Sequence, residues 1–189
     1  MQIRHITIVG YGGDTMDRSD FSSHRVLILG GKTHTIGILR SILGIAGVTQ
    51  IIHVEESLRA LELLSMEHFT AVFCDQLTDG VDGMSFPTAA RRREGMLNPM
   101  IPIFALREAA RRKDVEQARD TGVTDVLTTP ISPKTIMSKL QAALTAPRPF
   151  IVANEFFGPD RRAKARAPYY GTDRRTRVAK KAKIDFTLI

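Results

Sequence analysis

The chain has 189 residues, 43% of them hydrophobic, a single cysteine and a formal net charge of +7 at pH 7, which is room for one domain of ordinary size plus a tail. One cysteine excludes an intramolecular disulfide framework and fits a reducing compartment. No apolar stretch approaches the roughly 20 residues of a membrane-spanning helix, and the N-terminus lacks the long apolar core and cleavage site of a secretory leader, so a cytoplasmic location is expected.

Residues 1–24 alternate Ile3, Ile6, Ile8 and Val9 before a glycine-rich, polar run, a pattern that suits either an added strand or a loose arm. No GK[ST] or GxGxxG follows Gly10–Gly13, so a phosphate loop is not read there. From residue 25 the pattern becomes regular. Apolar runs at 26–29, 51–54, 70–75, 102–106 and 125–128 alternate with helical periods near 33–46, 57–67, 84–94, 109–121 and 133–145. Runs that are continuously apolar indicate strands covered on both faces, hence a parallel sheet. Five βα units predict a doubly wound α/β fold, a five-stranded parallel sheet in the order 2-1-3-4-5, over residues 25–146. Ser132 and Pro133 suit the start of the last helix, and Ala146-Pro147-Arg148-Pro149 ends it. Cys74 lies in an apolar run and reads as a buried, inert thiol.

Asp75 ends the third strand and is followed by Asp82-Gly83, Gly122-Val123-Thr124-Asp125 precedes the fifth strand, and Thr129-Pro130 follows it. In these features residues 25–146 resemble the CheY-like receiver domain of response regulators. The resemblance implies the flavodoxin-like fold and makes Asp75 the candidate phosphoacceptor. It also exposes departures. The acidic pair that the family carries after the first strand falls on Gly30 and Gly31, its Thr/Ser after the fourth strand on Arg107, its Lys on Thr129 and its switch aromatic on Val126. Phosphoryl transfer to a carboxylate uses a divalent cation held by several oxygens, so Mg²⁺ is not expected to be a cofactor. An ion pair from Arg107 to Asp75, or one from Lys32, is expected to hold the pocket in one state.

Charge is segregated. Residues 1–146 hold 16 Lys+Arg and 16 Asp+Glu, whereas residues 147–189 hold 11 and 4, the whole of the +7. Within that basic segment one motif is written twice: Phe157-Gly158-Pro159-Asp160-Arg161-Arg162 returns thirteen positions later as Tyr170-Gly171-Thr172-Asp173-Arg174-Arg175. Arginine forks match phosphate and the O6/N7 edge of guanine, aromatic and guanidinium planes stack on bases, and a carboxylate accepts from guanine N1–H and N2–H. Two equal half-sites suggest a ligand with two equal halves, such as cyclic di-GMP. With this tail the chain is similar to the CheY-like cyclic di-GMP effectors of alphaproteobacteria. That resemblance implies a non-enzymatic effector whose ligand orders the segment and modulates docking on a flagellar motor or another machine.

The candidate ligand residues are Phe157, Asp160, Arg161, Arg162, Arg166, Tyr170, Asp173, Arg174, Arg175 and Arg177, on an otherwise irregular tail over 147–189. Two other readings stand beside this one: a phosphorylation-dependent receiver acting through Asp75, and a binder of nucleic acid or other polyanions. The runs Arg91-Arg92-Arg93 and Arg111-Arg112-Lys113 read as solvated helix faces, and the five histidines share no metal-ligand spacing. The apolar C-terminus, Ile184–Ile189, suits packing on the domain or a sheet edge.

Overall fold

The structure is a computed structural model that describes residues 21–30, 33–75, 81–108, 111–153 and 156–160, together with the backbone of 180–182. The strands and helices alternate as β1 (Arg25–Leu29), α1 (Thr33–Ile45), β2 (Gln50–Val54), α2 (Ser57–Met66), β3 (Ala71–Cys74), α3 (Phe86–Arg92), β4 (Ile103–Glu108), α4 (Arg112–Asp120), β5 (Asp125–Thr129) and α5 (Pro133–Thr145). The five strands pair in parallel in the order β2-β1-β3-β4-β5, as the sequence predicts.

Alternating side chains of the inner strands divide the core into two layers. Leu27, Leu29, Val72, Cys74, Ile103 and Ala105 face α2, α3 and Ala118 of α4. Val26, Ile28, Phe73, Phe104, Leu106 and Leu127 face α1 and α5. Phe73 and Phe104 stack across β3 and β4 with ring centroids 4.9 Å apart. Phe21 belongs to the α1 layer, and the Thr49 hydroxyl donates to the Ser22 carbonyl at 3.1 Å. The last of the first 24 residues therefore packs with the domain, and residues 1–20 lie outside the described residues.

Local signals agree with the boundaries. Ser132 Oγ accepts the Thr135 N–H at 3.2 Å at the start of α5, and the Asp114 carboxylate accepts the Arg111 N–H at 2.9 Å at the start of α4. Helices α3 and α4 are shorter than their periodicity predicts. Asp82 and Gly83 have φ of 55° and 75°, the left-handed pair that a two-residue turn needs, and they close the Val81–Met84 bridge.

The basic segment is not wholly irregular. Beyond α5 come β6 (Phe150–Val152), β7 (Phe157–Pro159) and β8 (Lys180–Ala182), a second sheet in the order β7-β6-β8 with both pairings antiparallel. The correction has a physical source. Phe150-Ile151-Val152 is a three-residue apolar run too short to show a period, and Pro159 is compatible with a strand because β7 lies at a sheet edge.

Candidate functional site

Two constellations bear on function. The first lies at the carboxyl end of the parallel sheet, where ligands of doubly wound folds bind. Asp75 follows β3, and its N–H donates to the Leu29 carbonyl at 3.1 Å; Gly30 follows β1, and its N–H donates to Val54 at 3.0 Å. His53 Nε2 lies 2.7 Å from the Gly30 carbonyl oxygen. A Cβ built on Gly30 would overlap the Asp75 carboxylate, and its φ of +154° is itself a glycine conformation. Asp75 thus lies against the bare backbone of Gly30.

Arg107, near the end of β4, pairs in register with Thr128, and Glu108 with Thr129. The expected Arg107–Asp75 ion pair is not formed: among the described residues, Asp75 Oδ1 and Arg107 Nε are buried without a hydrogen-bond partner. The guanidinium acts on the pocket through space, lowering the pKa of Cys74, but burial and the neighbouring Asp75 carboxylate outweigh it and push the thiol up to about 12. Cys74 is the buried, inert thiol expected. Lys32 lies outside the described residues. No three His, Cys, Asp or Glu side chains converge among the described residues, whereas a hard dication takes several oxygens.

The second constellation joins the C-terminal hairpin to the domain. Arg91 does not lie on a solvated face as its sequence context suggests; it is 2% exposed. Its Nη1 donates to the Pro99 and Ile101 carbonyls, both at 2.6 Å, and its Nε donates to Gly122 at 3.2 Å. The guanidinium carbon stands 5.0 Å from the centroid of Phe150 in β6, and Phe150 meets Phe157 of β7 edge-on at 6.1 Å. Burial pushes the Arg91 pKa down to about 9, and the three carbonyl dipoles hold a group that remains charged at neutral pH. Arg92, exposed, donates to the Ala153 carbonyl at 3.1 Å. The run Arg111-Arg112-Lys113 is exposed, as expected.

Of the ligand residues read from sequence, Phe157 lies in β7, half-buried, and Asp160 follows it, its N–H bonded to Pro149 O at 2.7 Å. Arg161, Arg162, Arg166, Tyr170, Asp173, Arg174, Arg175 and Arg177 lie outside the described residues. Sequence reasoning placed Gly30 at the acidic-pair position but missed its close approach to Asp75, and it missed Arg91, Gly122 and Phe150 as members of the second constellation. The available signal was the apolar run after α5, which needed a surface to cover, and the adjacent small residues Ala89 and Ala90, which mark this stretch of α3 as core-facing.

The model of the response regulator receiver domain matches residues 26–141. A search of characterised proteins by sequence returned no significant match. Among solved structures, the receiver domain of the sensor histidine kinase PA1611 of Pseudomonas aeruginosa, with magnesium coordinated in its active-site cleft, is 20% identical, with a TM-score of 0.56, over 65% of this chain and 98% of that one. A response regulator of Desulfuromonas acetoxidans is 18% identical, TM-score 0.57, over 64% and 96%. The chemotaxis response regulator CheY4 of Vibrio cholerae is 21% identical, TM-score 0.53, over 64% and 98%. At these identities the likeness concerns the fold.

Proposed function

The chain belongs to the response regulator receiver family, and from that premise we propose that it is a non-enzymatic signalling effector that binds cyclic di-GMP through its arginine-rich segment. The single observation that carries the reading is the repeated aromatic-Gly-x-Asp-Arg-Arg motif inside a segment that holds all of the net charge. Arg161, Arg162, Arg174 and Arg175 contact phosphates and guanine edges, and Asp160 and Asp173 accept from the guanine Watson–Crick edge; Arg166 and Arg177 add charge-assisted bonds. Support comes from β6 and β7, which build the start of the segment onto the domain, whereas a pure charge device has no use for such a mount.

The receiver domain provides the surface for a protein partner, proposed as a flagellar motor or chemotaxis component. Its pocket works in one state without Mg²⁺, a reading supported by Gly30 beneath Asp75. Ordering the segment costs about 2–5 kcal/mol, which leaves micromolar affinity, about −8 kcal/mol, within reach of several charge-assisted bonds. The direct test is equilibrium titration of cyclic di-GMP into the wild-type chain and into Arg161→Ala/Arg174→Ala. Saturable binding that the double variant loses supports the reading, and retention of full affinity removes the arginines from the site. The family match and the position of Asp75 favour a second reading, phosphorylation-dependent signalling. An Asp75→Asn variant that loses all partner binding would establish it.

A further inference from the structure

The two copies of the motif are written alike, yet the first makes contacts that a nucleotide half-site would need to leave open. A Cβ on Gly122 would overlap the Phe157 carbonyl oxygen, and a Cβ on Gly158 would stand 2.8 Å from Gly122 Cα and 2.8 Å from the Phe156 ring. Two glycines face one another so that two backbones touch, one from the α4–β5 turn and one from β7. Neither position has room for a side chain, and Gly122 also has a φ of +91°. Pro159 is buried, and the Phe157 ring meets Phe150 edge-on.

Beneath this contact lies Arg91, whose guanidinium ties helix α3 to three other segments: the Pro99–Ile101 lead-in to β4, the turn at Gly122 and the Phe150 ring of the hairpin. A cation buried to this depth persists only where dipoles and an aromatic face replace its water, so its placement specifies the position of Phe150. Arg92 holds the hairpin turn through Ala153, and the Asp160 N–H closes onto Pro149 one residue before the arginines begin.

We infer that the first copy of the motif is an anchor: Phe157, Gly158 and Pro159 fasten the arginine segment to the α3 and α4–β5 face, Arg91 is the buried positioning residue, and Phe157 does not stack on a base. Asp160, the last described residue before the arginines, is then a fixed starting point for the segment, which reduces the ordering cost of capturing a ligand. What the segment captures rests on the cyclic di-GMP reading; the anchoring does not.

The experiment combines amide hydrogen exchange of the ligand-free full chain with cyclic di-GMP titration, on wild type, Gly158→Val, Arg91→Met, Arg91→Lys and Phe157→Leu. In wild type, amides of 150–160 are protected. In Gly158→Val they exchange at least ~10-fold faster while β1 to β5 stay protected, as for a locally opened unit. Arg91→Met weakens cyclic di-GMP binding at least about fivefold at unchanged stoichiometry, and Arg91→Lys recovers part of it, because a lysine donates to carbonyls but lacks the planar fork. Phe157→Leu keeps the apolar contact and holds affinity within about twofold, where loss of a base-stacking ring costs about 5- to 150-fold.

A stacking-sized loss in Phe157→Leu, or unprotected 150–160 amides in wild type, overturns the anchor. If Arg91→Met does not fold, Gly158→Val, which adds bulk only at the docking contact, decides the exchange arm. If the wild type binds no cyclic di-GMP, the ligand reading fails and the exchange result still judges the anchor.

Discussion

Gly30 and Arg91 are the two residues on which this chain departs most from what its neighbours in sequence suggest. Gly30 lies where a side chain would enter the Asp75 carboxylate. Gly30→Ala is expected to destabilise the protein by about 1–3 kcal/mol from overpacking and backbone strain. In an Asp75→Ala background the overpacking part disappears and the loss is smaller, a non-additivity that a double-mutant cycle of urea midpoints reads. Arg91→Met leaves the buried Ile101 and Gly122 carbonyls and the part-buried Pro99 carbonyl without this donor, and urea unfolding should show a loss of about 3 kcal/mol or more. Cys74, buried and with its thiol pushed up to about 12, should react with a disulfide reagent at pH 8 only as fast as the protein opens. Rapid stoichiometric labelling of the native state would contradict its burial.

At the scale of elements, the parallel sheet was legible because its inner strands are covered on both faces and read as unbroken apolar runs. The α5 start was legible because Ser132 and Pro133 carry its cap in their own chemistry. The hairpin was not legible. Its strands are three residues long, shorter than any period can register, and they form because Phe150 finds the Arg91 guanidinium and Gly158 finds Gly122, contacts between residues 59 and 36 positions apart in the chain. Arg91 was misread for the complementary reason: three arginines in a row suggest water, and only the packing of α3 selects one of them for the interior. Within the candidate site, sequence identified Asp75, Phe157 and Asp160 as residues to follow but not the backbone approaches that surround them. Ile151, opposite both Gly158 and Lys181, provides an element-level test. Ile151→Pro removes a central-strand N–H and should abolish exchange protection in 150–160, leaving the thermal transition of the five-stranded domain intact.

At the scale of the whole molecule, a neutral receiver carries a cationic segment, and on the proposed function the segment is the input and the receiver the partner surface. On that proposal, phosphorylation is not the switch. Acetyl phosphate or beryllofluoride with millimolar Mg²⁺ should leave the amide spectrum around Asp75 unchanged, and a saturable response there would restore the ordinary receiver reading. A charge patch and a guanine site differ in what they discriminate. Charge alone binds all anions in proportion to their valence and weakens steeply with salt, whereas an arginine-aspartate edge distinguishes guanine from adenine by about 1–3 kcal/mol per bidentate pair. The measurement that tests the central claim most directly is calorimetric titration of the full chain with cyclic di-GMP, cyclic di-AMP and GTP at physiological salt. A cyclic di-GMP site gives saturable, micromolar or tighter binding of cyclic di-GMP and at least tenfold weaker binding of the other two; no heat, or equal heat from all three, would contradict it.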